Sequence, residues 1–250
     1  MGGSPAIRAL VHQITHEIRC QYRDVRYTVL TLALPVLLYV LWGTINRADY
    51  RTLGRLGPIY VMVTVTAFGL IAAAVGEFSV RLSLERTKGW NRMVRATPLS
   101  RPLYFAAKLV SQLLGAVLTV AVLFFCARFF YHVNLDIGEW VGEAAWLILC
   151  TIPFLAIGFV IGMCGSAAQP VAAVALILFV TLGGMLETLG NMPPLLVAAA
   201  SYLPALSVLD EGLRIAQGLT FRWREVEILL AYAVGASGVA LALDLRSTRT

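Results

Sequence analysis

Charge is scarce in this chain. Only 14% of its 250 residues are Asp, Glu, Lys or Arg, where a soluble domain carries about a quarter. Lysine is nearly absent: Lys88 and Lys108 are the only two. Neither follows a G-x-x-x-x-G-K-[ST] loop, so nucleotide binding through a P-loop is excluded. The four cysteines, Cys20, Cys126, Cys150 and Cys164, contain no CxxC pair and no zinc spacing. They read as small apolar packing residues. His16-Glu17 begins an H-E-x-x-H zinc motif, but Cys20 stands where the second histidine belongs, so no metal site is expected. No cluster of His, Asp or Glu sits at one depth to serve as catalytic residues, so none are assigned and an enzyme is not expected. The basic residues lie at the ends of apolar runs rather than in a stripe beside aromatic platforms. A nucleic-acid partner is therefore not expected either.

What is present is hydrophobic. Apolar and aromatic types make up 59% of the chain, and the mean hydropathy is +0.78. The chain has room for about six spans of roughly 20 residues each and little else. The expected fold is an all-α membrane protein with six transmembrane helices, at about residues 27–45, 58–78, 105–125, 144–163, 171–186 and 228–243, embedded in a lipid bilayer. Residues 1–26 precede them. Ile7, Leu10, Val11, Ile14 and Ile18 recur at helical spacing. Arg8, Arg19, Arg23 and Arg26 supply cations, and Ser4-Pro5 a start signal. An amphipathic helix lying in the interface is expected there. No A-x-A-like cleavage site follows the first apolar run, so a cleavable signal peptide is not expected.

Pro35 and Pro153 fall inside the first and fourth spans and should kink them. The fifth apolar run reaches only about 24 Å at 1.5 Å per residue. The next, residues 195–206, is too short to cross and is broken by Pro204, so short re-entrant helices are expected between spans five and six. Asp136, Glu139 and Glu143 make the loop before the fourth span acidic.

Cations set the orientation. With six spans, four Arg precede the first span, six Lys or Arg lie in the second loop and two at the tail, twelve on one side. The other side holds seven, and Lys108 falls inside the third span. By the positive-inside rule both termini are cytoplasmic. Arg far outnumbers Lys, as in a GC-rich bacterial genome, which suggests a bacterial inner (plasma) membrane.

Ionisable residues are rare within the spans. Glu77 and Lys108 lie near the cytoplasmic boundary, Arg128 and Glu187 near the outer one. No buried relay is legible, which argues against an ion- or proton-coupled secondary transporter or channel and for a hydrophobic or amphipathic cargo driven by energy from elsewhere.

The segment 79–104 carries six of the cations. Between Gly89 and Thr97-Pro98, Trp90, Met93 and Val94 share one face of a short helix, and Arg92 and Arg95 another. Two readings stand: a helix that transmits force from a cytoplasmic partner, or a positive-inside anchor with Trp90 at the interface. The pattern Glu85-Arg86-x-x-Gly89, then Ala96-Thr97-Pro98-Leu99-Ser100, Tyr104 and Lys108, resembles the cytoplasmic loop of ABC type-2 permeases. These are the membrane subunits of drug, antibiotic, polysaccharide and lipid exporters. The order of parts matches over nearly the whole chain.

The resemblance implies that 79–104 contains a coupling helix docking on a nucleotide-binding ATPase subunit. Glu85, Arg86, Gly89, Trp90, Arg92 and Met93 would lie at that contact. It also implies a second permease copy, identical or not, and ATP with magnesium held by the partner ATPase rather than by this chain. Cargo would pass between the copies, against spans two and five. Thr64, Thr66, Phe68 and Leu70, with Phe179, Thr181 and Met185, are the candidate lining residues.

Overall fold

The computed structural model describes residues 5–23, 29–45, 54, 56–88, 101–183 and 193–247. All regular structure among them is helical. Helix α1 is Pro5–Arg23. Helix α2 joins a π-helical turn, Val29–Ala33, to the α-helix Leu34–Ile45. Helix α3 is continuous over Leu56–Thr87, α4 is Arg101–Phe130 and α5 is Ile137–Gly162. A 3-10 turn, Gly165–Ala167, leads into α6, Ala168–Leu182. Two short helices follow, α7 (Pro194–Ala200) and α8 (Pro204–Ile215), and α9 is Trp223–Ser247.

Among the described residues, five helices are long and apolar enough to cross a membrane: α3, α4, α5, α6 with its 3-10 turn, and α9. Helices α7 and α8 form a pair bent by 79° and would together make a broken span or a re-entrant loop. Pro204 opens α8 and enforces the break, since it cannot donate into a continued helix. Helix α2 is apolar over Thr31–Thr44 but shorter than the others.

Pro35 is the second residue of the regular part of α2, directly after the π turn. The irregular backbone therefore sits one turn before the proline, where its ring and missing N–H disturb the ladder.

Helix α3 is the central element and the most deeply buried of the long helices. Its 32 residues reach about 48 Å, well beyond a hydrocarbon core of about 30 Å. The segment 79–104, expected as a loop, is thus helical as far as Thr87. Over Ala72–Glu77 the helix widens into a π segment, where the Phe78 N–H donates to Ala73 O. The run Ala72-Ala73-Ala74-Val75-Gly76 supplies the small side chains that such a bulge packs closely.

Helix α5 lies against this segment through a G-x-x-x-G pair. A Cβ on Gly158 would fall 2.1 Å from Ala74 O, and one on Gly162 2.9 Å from Leu82 Cδ2 and 3.0 Å from Ser79 O. Only hydrogen at both positions lets the two backbones approach this closely. Around the contact, Leu70, Val75, Phe78, Phe154, Leu155 and Phe179 form one core. Tyr39, Ile59, Met62, Leu123 and Leu209 anchor a second, formed by α2, α4, α8 and the first half of α3.

Helix α5 starts earlier than the acidic residues suggest. Asp136 precedes its first residue, and the Asp136 N–H donates to Glu139 Oε2 at 2.9 Å, half of a capping box. Glu143, expected in a loop, is instead the seventh helical residue and fully buried. Pro153 is also buried within α5.

Candidate coupling site

At the end of the bundle where α3 finishes and α4 begins, four charged side chains from three helices meet. Helix α1 supplies Glu17, α3 supplies Arg81 and Glu85, and α4 supplies Lys108. Arg81 Nη2 donates to Glu17 Oε2 at 2.7 Å. Lys108 Nζ donates to Glu17 Oε1 at 3.1 Å and lies 2.7 Å from Glu85 Oε2. Arg81 Nε lies 3.4 Å from Glu85 Oε1, an i,i+4 pair. The Glu17 and Lys108 side chains are each only 4% exposed. Two cations offset two carboxylates, so the cluster is neutral. That balance is what allows it to be buried, since an unpaired charge there would be strongly unfavourable.

Uncharged groups complete it. Tyr104, one turn before Lys108, donates its hydroxyl to Glu85 Oε2 at 2.7 Å, and the Lys108 ammonium lies 5.0 Å from the Tyr104 ring centroid. Burial, then the Glu85 charge and its hydrogen bond, push the Tyr104 phenol far above its ordinary pKa, so it remains a donor at any physiological pH. One turn along α1, Gln21 Nε2 donates to Gln112 Oε1 of α4 at 3.1 Å. Helix α1 is thus fixed along α4 by Glu17 and Gln21, on the face that Gln13 extends by donating to Glu17 Oε1 at 3.1 Å. On the other side of α3, Ser83 donates to Gly165 O at 2.6 Å, tying the same end to the turn between α5 and α6.

The residues proposed from sequence fall into three groups. Glu85 enters this cluster, and Arg86 sits beside it in the last turn of α3, half-buried. Gly89, Trp90, Arg92 and Met93 lie outside the described residues, as does Met185. Of the pathway candidates, Thr64, Thr66, Leu70 and Phe179 are buried inside the protomer. Thr66 donates to Met62 O, and Phe179 stacks edge-on against Phe154 at 5.4 Å. Phe68 is half-buried against the core, and Thr181 donates to Ile177 O on its own helix. Sequence reasoning did not assign Glu17 or Arg81 to this site. The Arg81/Glu85 spacing was a usable signal; Glu17, 91 positions from Lys108, offered none.

The fold defines a polytopic helical membrane protein whose first helix is bound by buried ion pairs to the stem of a basic segment. The family of the chain is shown by comparison: residues 9–217 match the ABC-2 type transporter family, and the chain belongs to it. It is also 23% identical over 229 residues to YvfS of Bacillus subtilis (strain 168), a protein that carries the name of a transport permease, covering 90% of this chain and 93% of that one. The protein is therefore the membrane permease of an ABC-2 type transporter. Such permeases have no nucleotide site of their own and pair with ATPase subunits.

Proposed function

We propose that this permease exports a hydrophobic or amphipathic cargo, drug-, antibiotic- or lipid-like, and that the Glu17–Arg81–Glu85–Lys108 cluster carries the motion of the ATPase subunits into the membrane. The observation behind this reading is Lys108, whose single ammonium holds Glu17 of α1 and Glu85 of α3 together. Force applied to the basic segment, at Glu85, Arg86 and the residues Gly89, Trp90, Arg92 and Met93 beyond, would displace α1, α3 and α4 as one body.

The positive-inside distribution of the cations supports a cytoplasmic position for this end and for both termini. ATP and magnesium belong to the two ATPase subunits, whose closure would switch a permease dimer from inward- to outward-open. Cargo would lie between two permease copies, identical or not, against α3 and α6, with Thr64, Thr66, Phe68, Leu70, Phe179, Thr181 and Met185 as candidate contacts. Because the first four of these and Phe179 are packed against neighbouring helices, such a path would open only when α3 and α6 move. The apolar character of α6, with Val174, Ile177 and Leu178 exposed, suits a hydrophobic cargo or a second copy.

The test is purification of the tagged permease from its native membrane. Recovery of an ATPase subunit that is lost with Glu85→Ala/Arg86→Ala supports the reading. Transport at full rate by the permease alone would overturn it, in favour of an ion- or proton-coupled carrier or channel.

A further inference from the structure

At the opposite end of the bundle from the coupling site, two glutamates are sealed away from solvent. Glu143 projects from α5 and Glu211 from α8, and both are completely buried. Glu143 reaches the backbone of α8 next to Glu211 because Gly212 lacks a side chain. A Cβ there would fall 2.9 Å from Glu143 Oε1 and 2.9 Å from Val63 Cγ1 of α3.

The two carboxyls have unequal surroundings. Glu211 Oε1 accepts the Arg222 N–H at 3.1 Å, and Glu211 Oε2 lies 3.6 Å from Arg214 Nε. Glu211 thus has a donor on one oxygen and a cation near the other. Neither oxygen of Glu143 has a hydrogen-bond donor among the described residues. The nearest acidic neighbour on α8 is Glu211, adjacent in sequence to Gly212. The other ionisable groups around the pair do not compensate it. Helix α5 offers Glu139, held by its capping box, and the buried Cys150 thiol. Helix α8 offers Asp210, paired with Arg222 at 3.1 Å. Helix α9 adds Glu225, buried and acidic. Helix α3 presents Val63.

An ionised carboxylate without donor or cation, beside a second carboxylate and out of water, is not a sustainable arrangement. Gly212 closes directly on Glu143 Oε1, with Val63 beside it, so a bulky counter-ion does not fit between Glu143 and α8. A proton does.

We propose that Glu143 and Glu211 form a proton-binding site in which Glu143 holds the proton while α8 is packed against α5. Movement of α8 away from α5 would expose Glu143 to water and release that proton at the end of the bundle opposite the coupling site. The seating of α8 is in this way linked to pH independently of any cargo or ATPase.

The sign follows from linkage. The packed state binds one proton more than a state in which Glu143 is hydrated and ionises near about 4.3. Raising the pH must therefore weaken the packed state. The test uses the full-length permease in lipid nanodiscs, without its ATPase. The infrared carbonyl band of a protonated carboxylic acid is expected at about pH 7 in the wild type and in Glu211→Gln, and is lost in Glu143→Gln. The thermal midpoint of the wild type should fall by several degrees between about pH 6 and about pH 9, while that of Glu143→Met, an apolar side chain of similar size, should change less. No acid band in the wild type overturns the proposal, as does a band that survives Glu143→Gln. If Glu143→Gln fails to assemble, the Glu143→Met pH profile decides: one parallel to the wild type rejects the site.

Discussion

The Lys108 ammonium lies 2.7 Å from Glu85 Oε2 and 3.1 Å from Glu17 Oε1, so one buried cation joins the first helix of the chain to the last turns of the third. Removing it leaves two carboxylates facing each other with only Arg81 between them. Lys108→Met should destabilise this end by about 3–5 kcal/mol, the usual cost of breaking a buried ion pair. Replacing Glu17 by Gln in the same chain removes one of the stranded charges and should recover part of the loss. A double-mutant cycle of thermal midpoints in detergent or nanodiscs measures the coupling; strictly additive effects would show that the two residues do not act as a pair.

Tyr104 contributes to the same cluster through its hydroxyl. Tyr104→Phe keeps the ring under Lys108 and deletes only the bond to Glu85, a charged acceptor, so a loss of about 1.5–3 kcal/mol is expected. The raised phenol pKa sets the pH behaviour. The native state keeps this proton where the unfolded chain, with an ordinary value near about 10, begins to lose it. The contribution is complete below about pH 10 and declines above it. The stability difference between the wild type and Tyr104→Phe should be constant across neutral pH and shrink in alkali. A difference that grows with pH would contradict the assignment.

How far these features were legible from sequence depends on their range along the chain. The long apolar helices announce themselves by composition. The Pro204 break between α7 and α8 follows from proline chemistry and from a run too short to cross. The continuation of α3 to Thr87 was hidden because Arg81, Glu85 and Arg86 read as a polar loop, whereas they belong to a helix that outruns the hydrocarbon core and turns Arg81 and Glu85 inward to α1 and α4. Glu143 was misplaced for a related reason. Asp136 and Glu139 form a D-x-x-E start signal, which was available in the sequence, and recognising it would have put Glu143 inside α5. That Glu143 then faces Gly212 depends on how α8 folds back, which no local pattern encodes.

Trp146 offers a direct report on that fold-back. Its indole Nε1 donates to Val208 O of α8 at 3.0 Å, and its ring packs edge-on against Phe221 at 5.6 Å. Trp146→Phe retains an aromatic ring but leaves a buried carbonyl without this donor, at a cost of about 1–3 kcal/mol. Because the bond bridges α5 and α8, hydrogen exchange in α8 should accelerate more than in α1. Equal acceleration at both ends would mean that the contact supports the whole bundle rather than the seating of α8.

The G-x-x-x-G contact between α5 and α3 makes the sharpest geometric prediction. Gly158→Ala would place a methyl group 2.1 Å from Ala74 O, a backbone atom that cannot rotate away. The helices must separate, and Phe154, Leu155 and Phe78, packed in the same core, lose contacts with them. Gly162→Ala meets Leu82 Cδ2 at 2.9 Å, the end of a flexible side chain, but also Ser79 O at 3.0 Å, so it should be disruptive to a smaller degree. Overpacking of this kind costs typically about 1–3 kcal/mol, with Gly158→Ala at or above the upper end. The ranking, read from thermal midpoints of the two variants in the same nanodiscs, tests the contact. Its reversal would mean that α5 meets α3 through Gly162 rather than at the π segment. If α3 also moves during transport, Gly158→Ala should depress cargo-stimulated ATPase activity in the assembled transporter more than its loss of stability alone predicts, since the π segment and the helix against it would have to shift together.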